Sequence, residues 1–181
     1  MKKLLFLITS VFLLSWQNSP VSLYQLQLND VDGGLISMSS FKGKKIIVAE
    51  YDASKPDRNQ LLALDTLYKK NKNNLTVIAV PVTDFGSTAS EGDIKKLWKD
   101  TLQLSYVITK VSKVKKSNGN SQHKLFRWIT NKTENGHFDY DVDNDGEMFM
   151  ISETGALFAF IHKKINLNGS LMNRLLTQKG P

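Results

Sequence analysis

The stretch beginning at Ile46 constrains this chain more than any other. It opens on Ile46-Ile47-Val48-Ala49-Glu50-Tyr51, a short β-branched run of the kind that fills a strand buried inside a sheet. It runs on to Leu61, Leu64, Leu67 and Tyr68, whose spacing gives a helix one apolar face. Between them, Asp52-Ala53-Ser54-Lys55-Pro56-Asp57 makes a tight polar turn. Asp57 with Gln60 three residues later has the form of a capping box, which starts the helix near Arg58. A strand that delivers a turn to a helix N-terminus is a place where α/β proteins put chemistry. The free N–H groups there stabilise a phosphate or a thiolate. This turn has no thiol, no glycine-rich cradle and no histidine. It has Pro56.

The 181 residues suffice for one domain with a proper core. With 41% hydrophobic and 23% charged residues, the composition is that of a globular domain and excludes a disordered chain. The formal net charge of +7 comes mostly from lysine. Lysine without arginine clusters or interleaved aromatics does not point to nucleic acid, whose readers favour arginine forks. The partner expected is a protein or a small molecule that the residues do not identify. Cysteine is absent. That excludes disulfides, a cysteine nucleophile, thiolate metal sites and a lipid-modified N-terminal cysteine.

Residues 1–19 read as an export signal. Lys2 and Lys3 precede an apolar run from Leu4 to Leu14, of secretory length and short of the roughly 20 residues that a spanning helix needs. The expectation is a periplasmic or secreted protein with no stable membrane span after signal removal and a mature charge of 7 − 2 = +5. Ser15 to Ser19 lacks a good A-x-A, so an uncleaved N-terminal anchor is the alternative.

The folded domain then spans residues 22–178. Leu23 to Leu28 has the period of a strand, and Asn29 to Gly34 is turn chemistry. Leu35 to Met38 completes an N-terminal β-hairpin. Ser39 to Lys44 reads as a helical turn ended by glycine. After the central strand and first helix, Leu75 to Val80 is a second buried strand, closed by Pro81. Ile94, Leu97, Trp98 and Leu102 mark an amphipathic helix. Ser105 to Ile108 is a short strand, Lys110 to His123 a basic loop, and Leu125 to Ile129 a third helix. Thr133 to Gly146 is an acidic loop. Met148 to Ile151 and Ala156 to Ile161 form a terminal hairpin, and Leu171, Leu175 and Leu176 fit a last helix. This order predicts an α/β fold with a mixed central sheet flanked by helices, the order of a thioredoxin-like fold.

Three stretches resemble the glutathione peroxidase family. Ser39-Ser40-Phe41-Lys42-Gly43-Lys44, leading to Ala53-Ser54-Lys55, is similar to the family's S-x-F/Y-K-G-K followed by A-S-K-C-G. Val80-Pro81-Val82-Thr83-Asp84-Phe85-Gly86 is similar to F-P-C-N-Q-F-G. Phe149-Met150-Ile151-Ser152-Glu153-Thr154-Gly155 is similar to the F-L-I/V-D-x-x-G that follows W-N-F. Leu125 to Gly136 also resembles L-Y-x-W-L-x-x-x-x-x-N-G, and the set runs in order over about residues 22–176.

The resemblance implies a peroxidase, an oxidoreductase of oxidative-stress response, in which a cysteine or selenocysteine attacks peroxide among a glutamine, a tryptophan and an asparagine. This chain departs at each position. Pro56 stands where the cysteine falls, Asp84 at the glutamine, Asn144 at the tryptophan and Asp145 at the asparagine. Proline offers neither a nucleophile nor an N–H. An aspartate beside a thiolate repels it by about 4 kcal/mol at 4 Å with an effective dielectric of 20. The expectation is an exported pseudo-enzyme that serves as a binding or scaffold module and needs no cofactor.

The acidic loop carries a second reading. Asp141, Asp143 and Asp145 followed by Gly146 match D-x-D-x-D-G, in which alternate carboxylates converge on calcium. The twelfth position is Ser152, not the bidentate glutamate, so the metal expectation rests on those three aspartates. His123, His137 and His162 lack zinc spacing. Ser54 beside Lys55 is a weak nucleophile pair, since adjacent residues on a turn rarely face one another. Lys110, Lys113, Lys115 and Lys116 form a solvated run whose sharper reading is attraction to anionic lipid or polysaccharide.

Overall fold

A computed structural model describes residues 21–180. The signal reading at 1–19 lies outside them. Among the described residues no helix is long and apolar enough to cross a membrane.

Strand β1 (Gln27–Asn29) pairs antiparallel with β2 (Leu35–Ser37), forming the expected hairpin. Its first strand is shorter than the sequence suggests. Leu23–Gln25 is a 3-10 turn, closed by the N–H of Leu26 on the carbonyl of Leu23. The main sheet comprises β3 (Lys45–Asp52), β4 (Leu75–Val82), β5 (Val107–Ile108), β6 (Met148–Ile151) and β7 (Leu157–Ile161). Its order is β5-β4-β3-β6-β7. Strands β3, β4 and β5 are parallel, and β6 and β7 add antiparallel to the other edge of β3.

The period of two along β3 divides its side chains between two cores. Ile47, Ala49 and Tyr51 pack on one face with Leu61 and Leu64 of α1 (Arg58–Asn71), Trp98, and Met172 of α5 (Ser170–Thr177). Ile46 and Val48 pack on the other with Phe126, Trp128 and Ile129 of α3 (Lys124–Thr130). Trp98 and Trp128 are therefore core residues, as their helix faces predict.

Three local departures have physical causes. Asp57 caps α1 by accepting from the N–H of Gln60 at 3.1 Å, but the Gln60 amide donates to the carbonyl of Lys163 at 2.8 Å, so only half of the capping box forms. Pro81 lies inside β4 and does not close it. Its carbonyl accepts from Ser112, so its nitrogen faces the same side, past the end of the two-residue β5, where no ladder N–H is required. The second helix begins as α2 (Glu91–Ile94), with a full Ser90–Asp93 capping box, and continues as a π-helix over Lys95–Thr101. Its wide turn ends where Leu102 donates to the carbonyl of Leu97, and Gln103 then takes a positive φ of 51°. A short α4 (Lys132–Asn135) occupies the start of the acidic loop.

Candidate functional site

The turn after β3 is built from within by Asp52. This nearly buried carboxylate accepts from the N–H groups of Ser54 at 2.8 Å and Lys55 at 2.7 Å, an Asx turn two and three residues long. The donors that would face an anion are thus spent on an internal one. The N–H of Asp52 itself donates to Oδ1 of Asp145 at 2.5 Å, which fixes the end of β3 to the loop before β6. Ser54 and Lys55 are exposed, whereas Pro56 is buried. The Ser54 hydroxyl pairs with that of Ser87 at 2.6 Å, so its partner is not the neighbouring lysine.

The other singled-out positions are fasteners as well. Asp84 accepts from the N–H of Val114 at 2.6 Å and from the Asn118 amide at 2.5 Å, which binds the loop after β4 to the basic loop. Asn144 donates to Glu147 Oε1 at 3.3 Å, and that oxygen also accepts from the Tyr140 hydroxyl at 3.0 Å. The structure therefore joins Asp145 to the turn that holds Pro56 and commits Asp84 and Asn144 to partners elsewhere.

The three aspartates of the expected calcium loop do not form such a site. Asp141 accepts from the N–H groups of Lys116 and Val142, Asp145 accepts from Asp52, and Asp143 is exposed. Among the described residues no group of three His, Asp or Glu side chains could hold a metal ion. The chain after Gly146 continues as β6 and supplies no helix to bring a twelfth ligand round.

A feature that motif matching passes over lies beneath the turn. Glu50 is fully buried near the end of β3, and its Oε1 accepts from the N–H of Glu147, also buried, at 2.9 Å. Burial, reinforced by the negative charges of Asp145 and Glu147, pushes the Glu50 carboxyl up to about 9 despite the hydrogen bond from Glu147. Glu50 Oε2, Glu147 Oε2, the Tyr51 hydroxyl and the Trp98 indole N–H are all buried without a partner. The one signal in the sequence was a charged residue inside the apolar run Ile46 to Tyr51.

Beside the turn, between the first turn of α1 and the π-helix, lies an open groove of about 480 Å³. Ser54, Arg58, Thr88, Lys96, Leu97 and Thr101 contribute to its walls. Arg58 and Lys96 give it two cations, Asp93 gives it one carboxylate, which is bonded to Ser90, and Leu97 and the nearby alanines give it an apolar side.

The glutathione peroxidase family model matches residues 23–130, more than half of the chain. The chain is 24% identical over 138 residues to the glutathione peroxidase homolog BsaA of Staphylococcus epidermidis, covering 75% of this chain and 85% of that protein. Among solved structures, Trgpx in its apo form superposes with a TM-score of 0.65 at 19% identity, over 90% of this chain and 100% of the other. The structure of T. cruzi GPX1 gives 0.64 at 18% identity, over 86% and 94%. A thioredoxin-family thiol:disulfide interchange protein from Chlorobium tepidum gives 0.56 at 18% identity, over 79% and 86%. The thioredoxin-like fold expected from the element order is thus observed, and the chain belongs to the glutathione peroxidase family as a member without cysteine.

Proposed function

We propose that this protein is an exported binding module of its family that performs no thiol peroxidase chemistry. One observation carries the proposal. Pro56, which falls where the family's motif has its nucleophile, is buried, while Asp84, Asn144 and Asp145 are each committed to a bond that holds loops together. Peroxide reduction on this framework requires a sulfur or selenium lone pair to attack the O–O bond and a second thiol to regenerate it. Neither atom can come from a chain without cysteine, and the carboxylates around the turn disfavour a second anion there.

The groove between α1 and the π-helix is the part of the framework that suits a ligand. Its two cations outnumber the single carboxylate of Asp93, and with its apolar wall they suit a small molecule or a protein side chain with an anionic head and an apolar body. Export is supported by the charged start and apolar run of residues 1–19.

The test is direct. Full-length protein mixed with hydrogen peroxide and either glutathione or reduced thioredoxin should consume no peroxide above the buffer rate. Turnover that scales with protein concentration overturns the proposal. Cell fractionation should place the protein outside the cytoplasm, and recovery wholly from the cytoplasm would remove export from it.

A further inference from the structure

β1, the segment after β5 and the start of α3 line a second, smaller cavity of about 220 Å³. Its walls are pinned by backbone bonds. Lys110 N–H donates to the carbonyl of Asn29 at 3.1 Å, and His123 N–H donates to that of Lys113 at 2.7 Å. Gln122 is spent on the Val114 carbonyl and the Thr130 hydroxyl, which makes its wall rigid.

The charged residues that line the cavity have one sign. Lys110 and Lys124 form no ion pair among the described residues. The amides of Gln27, Asn29 and Asn120 line the cavity, and no acidic side chain does. His123 adds an imidazole whose Nδ1 is sealed from solvent without a partner. Burial and the adjacent Lys124 keep that ring neutral, with its pKa pushed down to about 4, so it adds no charge to the cavity. Two ammonium groups, several amide donors and no carboxylate form a donor set for oxygen anions. The space holds a tetrahedral ion with a few waters at about 30 Å³ each.

We infer that this cavity is a binding site for a phosphate-type oxyanion, held by Lys110 and Lys124 and oriented by the amides of Gln27, Asn29 and Asn120 with His123. The group arrives either as free phosphate or as the headgroup of an anionic lipid, which presents the same oxygens. The site is independent of the groove beside Arg58 and of whether the protein reduces peroxide.

The experiment is a titration of the full chain with inorganic phosphate at constant ionic strength, followed by amide and imidazole NMR signals. Saturating shifts confined to Asn29, Lys110, Asn120 and His123 are expected. The double variant Lys110→Gln/Lys124→Gln should weaken binding about tenfold or more, a loss of about 1.4 kcal/mol or more. Lys70→Gln/Lys72→Gln removes the same charge from α1 and the turn after it, and should leave binding unchanged. Shifts that rise linearly and spread over all lysines, or an equal response of both variants, overturn the site. Sedimentation with phosphatidic acid vesicles, with and without competing phosphate, then separates the sources. Vesicle binding that phosphate displaces supports the headgroup, and saturation by phosphate without vesicle binding supports the free ion.

Discussion

The two ends of β3 solve the same problem differently. At its start, Lys45 is almost fully buried, yet its ammonium is satisfied. It pairs with Glu153 at 3.3 Å, donates to the carbonyl of Gln178 and lies 5.0 Å from the centroid of the Phe158 ring. At its end, Glu50 and Glu147 are buried with no cation among their hydrogen-bond partners, and each leaves one oxygen unpaired. The first end is a latch whose charge is compensated. The second is a pair of buried acids in which burial favours the protonated form of Glu50. The difference lies in the charge beside the unpaired atoms: Glu153 also buries one oxygen without a partner, but a cation stands next to its carboxylate, whereas Glu50 and Glu147 have none.

Substitutions can break the contrast. The largest effect is expected at the compensated end. Lys45→Met keeps the volume but leaves the Gln178 carbonyl without its donor, and should cost about 3 kcal/mol in urea unfolding. A loss below about 0.5 kcal/mol would show that the latch is not needed. Asp52→Ala removes the acceptor of two backbone N–H groups and should cost about 2 kcal/mol by the same measurement.

Glu50→Gln should act in the opposite direction. A carboxyl whose folded pKa lies above its unfolded value binds more protons when folded, so its contribution is complete below about 4.5 and is lost as pH rises toward about 9. The variant should therefore gain stability relative to the native protein at pH 8, on the order of 1–2 kcal/mol, and little at pH 4. Equal differences at both pH values would show that the native carboxyl is not protonated by its surroundings.

Pro56→Cys is the smallest change, within about 1 kcal/mol of native stability, because the turn is held by Asp52 and not by the proline ring. It should not restore peroxide turnover, since Asp84 and Asp145 still stand at the companion positions. Turnover from this single change would show that the remaining framework is catalytically intact.

Much of this architecture could be read from residue order. The β-branched runs at Ile46 and Leu75 became the two central strands, and Asp57 marked the start of α1 within a residue. Pro81 misled because its missing N–H matters only where a neighbour strand needs it, and that depends on where β5 ends. The π-turn after Ile94 kept a helix-like apolar spacing, so nothing local betrayed it. At the site, Pro56 and Asp84 were visible as substitutions, but what replaced the chemistry was not. The partners are remote: Asp145 bonds Asp52 across 93 positions, and Asp84 bonds Val114 across 30. Short-range patterns cannot show such pairings. The same holds for the acidic loop, whose Asp145 and Asp141 accept from distant backbone donors.

Asp52 has one more implication. A bend that carries its own carboxylate template needs no visiting group to take shape, so the exposed side chains at 54 and 55 stand on a pre-set pedestal. Exchanging those two residues for others leaves the template in place, which makes this corner a natural mount for presenting short foreign sequences in a fixed pose.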